Sequence, residues 1–299
     1  ANFELTINSL HASGKYDIYV TGSNAFLLSS DLATLFTGRT FAVEVFPFSF
    51  KEYMQYYKEK EPRMAFDKYL RDGGMAGSYL YEEQKDKYKY INDVFDTLIL
   101  RDINKKYKIR NTGLMNKLVD FMMDNIANLS SASKIAETLT RNKDKVNHKT
   151  VGKYMEYLCN AFAFYKVPRY DIRGKQYLES SEKYYLSDQA FRYAKLGTKN
   201  MDYGRVLENI VAVDLLRRGY EVYAGVLYKK EIDFVAIRHD EKIYIQVADN
   251  ISETKTLERE VSLLLKIRDG YPKLILARTG HEEYQYEGIK IIDIADWLI

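Results

Sequence analysis

Apolar residues recur at helical intervals between residues 204 and 218, where Val206, Leu207, Ile210, Val211, Val213, Leu215 and Leu216 share a broad face and Gly219 supplies a stop. The pattern then changes to short β-rich runs at 221–227, 231–238 and 242–247, divided by polar turns that suit neighbouring strands. A second amphipathic helix is predicted over 253–269, with Leu257, Val261, Leu264, Leu265 and Ile267 on its buried side. Residues 272–277 read as a further strand. The last third of the chain is therefore ordered helix, three strands, helix, strand.

The middle has its own layout. A mostly helical, Tyr-rich stretch over 64–110 precedes helices at 113–126, 131–139 and 148–161, the last with Val151, Tyr154, Met155, Leu158 and Cys159 facing inward. Two β-like runs, 164–170 and 176–186, can form a hairpin through 171–175. Three helices followed by a hairpin is the order of a winged helix-turn-helix. Near the start, 16–20 and 41–45 read as strands and 25–36 as a helix between them, a βαβ unit. Parallel strands are normally covered on both faces, so this unit is expected to belong to a larger sheet.

Charge is spread unevenly along the chain. The chain has 299 residues and 46% hydrophobic content, enough for two or three cores at roughly 100 to 150 residues per domain. Its one cysteine, Cys159, excludes an internal disulfide, and its four histidines lack ligand spacing. No run approaches the ~20 apolar residues of a membrane span and no signal peptide is visible, so the cytoplasm is expected. The net charge is only +3, yet residues 101–180 carry 16 Lys plus Arg against 8 Asp plus Glu. If the middle binds DNA, the third helix would present His148, Lys149 and Lys153 at its N-terminal end. Arg169, Arg173 and Lys175 on the hairpin would meet phosphate, which positions a protein without reading sequence. A solvated lysine face, or a winged helix used for protein contact, is the plainer alternative. The 27 tyrosines tempt a base-stacking role, but they are spread along the chain and packing accounts for most of them.

Chemistry concentrates in the last third. Glu208 lies on the first helix there, Asp233 in the second strand and Gln246 in the third. An Asp inside a strand is disfavoured, so Ile232-Asp233-Phe234 needs a local reason. The element order and these positions resemble the PD-(D/E)XK nuclease-like core, in which acidic residues on the second and third strands hold a divalent metal that activates water. The resemblance assigns Asp233 as the metal ligand and Glu208, Asp233 and Gln246 as the degenerate catalytic set. Gln246 brings a neutral amide, and Ala248 stands where the family has its lysine. Lys229, Lys230 and Lys255 are within range to replace that lysine, and nothing in the spacing selects one. A half-buried Asp233 and a surface Glu208 are the ordinary alternatives.

A second resemblance covers nearly the whole chain. Thr21-Gly22-Ser23-Asn24, Gly38-Arg39, Phe46-Pro47-Phe48-Ser49-Phe50 with Glu52, and Gly73-Gly74-Met75, in that order, resemble the closing portion of the nucleotide-binding domain of a prokaryotic group of AAA-type (AAA+) ATPases that carry a C-terminal nuclease-like domain. The resemblance implies that Thr21, Ser23 and Asn24 sense nucleotide and that Arg39 faces a phosphate. Turn and N-cap chemistry for the first three, and a solvated arginine, are the alternatives. The parent protein would use ATP and Mg²⁺ and could assemble as a homo-oligomer. The sequence contains no G-x-x-x-x-G-K-[ST] loop, so this chain is not expected to hydrolyse ATP, and the P-loop is expected upstream.

The expected fold class is α/β and α+β multidomain: a partial P-loop-type βαβ unit over 1–58, a helical lid over 59–112, a winged helix over 113–188 and a nuclease-like α/β domain over 189–299. Three functions follow: a DNA-associated portion of an AAA-type ATPase with an inactive nuclease-like domain, a metal-dependent endonuclease, or a non-catalytic DNA- or protein-binding regulator.

Overall fold

The computed structural model of the chain describes residues 3–21, 41–140, 146–199, 201–228 and 230–299. It is a mixed α/β structure around an eight-stranded mixed sheet. Helices α1 (Phe3–Ala12), α2 (Phe50–Tyr57), α3 (Pro62–Asp72), α4 (Gln84–Asp93) and α5 (Arg101–Lys106) come first. Then follow α6 (Thr112–Asp124), α7 (Ala132–Thr140), α8 (His148–Asn160), β1 (Phe164–Asp171), β2 (Gln176–Leu186), α9 (Gln189–Leu196) and α10 (Tyr203–Arg217). The chain closes with β3 (Glu221–Leu227), β4 (Lys230–Arg238), β5 (Glu241–Ala248), α11 (Thr254–Leu264), β6 (Lys273–Ala277), β7 (Tyr284–Tyr286), β8 (Ile289–Asp293) and α12 (Ile294–Trp297).

The strand order is β2-β1-β3-β4-β5-β6-β8-β7. The hairpin β1–β2 is part of this sheet, because β1 runs parallel to β3 with Arg169 opposite Ala224 and Asp171 opposite Val226. Adjacent residues of β4 point to opposite faces. Phe234 packs in the core that includes Val206, Leu207 and Val211 of α10, and Val235 in the one that includes Val261 and Leu264 of α11. The two helices thus cover opposite sides of the sheet. Helix α11 stops at Leu264, earlier than its periodicity predicts, and Leu265 is exposed where the pattern placed it inward.

The expected strands at 16–20 and 41–45 are not strands. A strand needs a ladder partner for its backbone groups, and none of the eight strands pairs with either run. Tyr19, Phe41 and Val45 are instead exposed. The helix expected at 25–36 lies outside the described residues.

The Tyr-rich helical region is held by ring packing. Tyr53 meets Tyr57, Tyr69 and Tyr79 at centroid separations of 4.7, 5.4 and 5.5 Å. Helix α2 begins with a reciprocal capping box: Ser49 Oγ accepts the Glu52 N–H and Glu52 Oε2 accepts the Ser49 N–H. The Gly73-Gly74 pair is a packing device. A Cβ on Gly73 would lie 2.1 Å from Asp188 Oδ1, and one on Gly74 would lie 2.2 Å from the Phe48 carbonyl oxygen. The Phe48 N–H donates to the Gly74 carbonyl at 2.8 Å, which joins the aromatic run of residues 46–50 to the end of α3.

Candidate functional site

Helix α10 is capped by Asp202, whose side chain accepts the Arg205 N–H. It is apolar on nearly every side and lies against the sheet, so Glu208 is buried and not a surface glutamate. Asp233 owes its place in β4 to the end of a ladder. The β4–β5 register has Phe234 opposite Ile245, with no pair beyond it on that side. There Asp233 Oδ2 accepts the Val247 N–H at 2.8 Å and Gln246 Oε1 accepts the Asp233 N–H at 3.3 Å. The two side chains satisfy backbone donors that the parting strands would otherwise leave unpaired.

The centre of the site is Lys183 of β2, only 2% exposed. Its Nζ lies 2.7 Å from Glu208 Oε1, 2.5 Å from Glu231 Oε1 and 4.0 Å from Asp233 Oδ1. Tyr185, two residues on and therefore on the same face of β2, donates its hydroxyl to Glu208 Oε1 at 2.6 Å. The Asn209 side chain pins the end of that strand to α10 by accepting the Leu186 N–H and donating to the Leu186 carbonyl.

Burial raises the Glu208 carboxyl above its ordinary range, against the opposing Lys183 charge. Burial and then the neighbouring Glu208 raise Asp233 well above its own. Burial works to strip the proton from Lys183, but Glu208, Asp233 and Glu231 together outweigh it and hold the ammonium above its usual value.

The site therefore gathers all three residues expected from sequence, Glu208, Asp233 and Gln246, and adds Lys183, Glu231 and Tyr185. Of the lysines expected as replacements, Lys230 and Lys255 are exposed and Lys229 lies outside the described residues. Sequence reasoning missed Lys183: the alternation of β2 sets it on the face of Tyr185, but no local pattern links that face to Glu208. Among the described residues, no group of three or more His, Cys, Asp or Glu is arranged to hold a metal ion. A cavity of about 410 Å³ opens beside the cluster, lined by Asn125, Asn128, Ser130, Lys134 and Glu231 among others.

His148, Lys149 and Lys153 are exposed at the start of α8, where Asn147 caps the helix by accepting the Lys149 N–H. Arg173 and Lys175 are exposed in the β1–β2 turn. Arg169 does not join them, because it lies inside β1 between Leu178 and Ala224 and is half-buried. Thr21 is exposed, while Ser23, Asn24 and Arg39 lie outside the described residues.

A family model for an AAA domain matches residues 1–54, and one for a domain of unknown function (DUF8612) matches residues 63–202. An uncharacterized protein of Haemophilus influenzae is 38% identical over 297 residues, covering 98% of this chain and 73% of that protein. An uncharacterized protein of Methanocaldococcus jannaschii is 27% identical over 311 residues, covering 99% of this chain and 68% of that protein. No solved structure matches the chain. No helix among the described residues is long and apolar enough to cross a membrane.

Proposed function

Because the chain belongs to the family of the Haemophilus influenzae protein and matches an AAA domain over its first 54 residues, we propose that it is the DNA-associated portion of an AAA-type ATPase whose nuclease-like unit binds without cutting. The observation that carries the reading is the Lys183 ammonium seated between Glu208, Glu231 and Asp233. Mg²⁺ demands oxygen ligands at about 2.0–2.1 Å in near-octahedral array. Here the carboxylate oxygens turn onto an ammonium and Gln246 contributes an amide, so a divalent cation does not fit beside Lys183. By family resemblance the parent protein would use ATP and Mg²⁺.

Exposed His148, Lys149 and Lys153 at the head of α8, with Arg173 and Lys175 on the hairpin, support DNA association by a winged-helix unit. Helix N-termini and lysines attract phosphate without selecting sequence.

One observation favours a second reading. Lys183 also supplies, within 4.0 Å of Asp233, the lysine that Ala248 does not. Incubation of the chain with supercoiled plasmid in Mg²⁺ or Mn²⁺ decides between them. No nicking is expected. Cleavage that disappears in both Asp233→Ala and Lys183→Ala would establish an endonuclease.

A further inference from the structure

Two basic segments far apart in sequence meet through a pair of rings. Helix α5 ends at Lys106, and the Tyr107 ring just past it stacks on Tyr157 of α8 at a centroid separation of 3.6 Å with the planes 6° apart. Tyr157 shares one face of α8 with Lys149 and Lys153, since the three stand four residues apart. The backbone fixes the turn. The Tyr107 N–H donates to the Ile103 carbonyl and the Ile109 N–H to the Asn104 carbonyl, while Lys108 between them takes a left-handed φ of 49°. The ring stack sets this turn beside the lysine face of α8.

Residues 101–110 carry five basic side chains and one acid, and no acid follows before Asp120. Lys105, Lys106, Lys108 and Arg110 are all exposed. The acids near this surface keep their charge, but they are few. Asp102 lies 3.5 Å from Arg101, Glu156 follows Lys153 on α8, and Glu137 of α7 lines a groove with His148. Against these three stand seven cations, the five of 101–110 together with Lys149 and Lys153, so the surface is positive on balance. Among the described residues, Lys105, Lys108 and Arg110 make no ion pair. Cations in the last turn of a helix answer its dipole, which accounts for Lys105 and Lys106. Lys108 and Arg110 lie beyond that turn and have no such role.

The spacing suits a duplex. Eight residues separate Lys149 from Tyr157, about 12 Å along a helix axis. The major groove of a duplex is roughly 12 Å wide. Cations at the two ends of α8 can therefore meet phosphates of both strands that border one groove, whereas a single strand offers one row of phosphates.

We propose that the turn 105–110 is a second phosphate-binding element for duplex DNA, with Lys105, Lys108 and Arg110 on the strand across the groove from the head of α8. The proposal rests on the nucleic-acid reading above and adds a surface to it.

Fluorescence anisotropy of the full chain with a labelled duplex, titrated at several salt concentrations, tests it. The triple variant Lys105→Gln, Lys108→Gln, Arg110→Gln is expected to lower the slope of log K against log salt by roughly 2.7. The three side chains are exposed, Gln keeps most of each stem, and circular dichroism matching the wild type verifies the fold. Lys266→Gln with Lys290→Gln, the first after α11 and the second on β8 near the far edge of the sheet, should leave the slope unchanged. A triple variant with the wild-type slope, or a control that lowers the slope as much per charge, overturns the proposal. Oligothymidylate of the same length bound as tightly as the duplex would overturn the assignment to paired strands. If Lys149→Ala with Lys153→Ala keeps the slope while the triple variant lowers it, the α8 reading alone fails. Wild type that binds no duplex sinks both.

Discussion

The Asp188 carboxylate accepts the backbone N–H of Gly74 at 2.6 Å across 114 residues of sequence, and so ties the end of α3 to the start of α9. Its other oxygen accepts the Ala190 N–H at 2.8 Å as the cap of α9. The glycine pair is what lets the backbone come this close.

That contact carries a pH signature. Burial pushes the Asp188 carboxyl up to about 6, against the opposing hydrogen bonds from Ala190 and Gly74. A raised acid stabilises the fold fully below its unfolded value near 3.8, and this contribution is lost as pH rises through about 6. In urea titrations, the stability of wild type relative to Asp188→Asn is expected to fall between pH about 4 and 6 and level off above. A difference that grows with pH over that window would contradict the assignment.

Lys183→Met leaves Glu208 and Asp233 buried without their counter-charge. A loss of about 3–5 kcal/mol at neutral pH is expected, measured by chemical denaturation. The loss should shrink toward pH 5, because both carboxyls are raised and take up protons as pH falls. A change below about 1 kcal/mol at pH 7 would show that Lys183 is not the partner these acids depend on.

Glycine substitutions should separate by place. In Gly74→Ala the new Cβ meets the Phe48 backbone, and a cost on the order of 3 kcal/mol or more is expected. In Gly113→Ala, early in α6, the nearest atom is 3.6 Å away, and a gain of ~0.5 kcal/mol is expected from helix propensity. Thermal melts of the two variants moving in the same direction would refute this.

If the head of α8 meets phosphates, Lys149→Ala with Lys153→Ala should reduce the slope of log K against log salt for duplex DNA by about 2. An unchanged slope in anisotropy titrations would remove α8 from the interface.

Local periodicity was sufficient to read α6, α7 and α8, the β1–β2 hairpin, α10, strands β3 to β6 and the existence of α11, since each is specified by side chains a few residues apart. Periodicity placed Glu208, Asp233 and Gln246 on their elements, but it was the resemblance to a nuclease-like core that grouped them; the structure brings the three side chains together. Strands were misread at 16–20 and 41–45, where apolar residues in a row met no ladder partner among the described residues. Helix α11 was drawn too long because Leu265 continues its period without reaching a core.

The chemical character of the site belonged to tertiary structure alone. Lys183 precedes Glu208 by 25 residues and reaches it because β2 packs against α10, held there by Asn209 and by the Tyr185 hydroxyl. Sequence determines which residues share a helix face or a strand face, through the fixed periods of the backbone. Which charges neutralise one another, and which rings meet, depends on contacts between elements far apart in the chain, and no period encodes those.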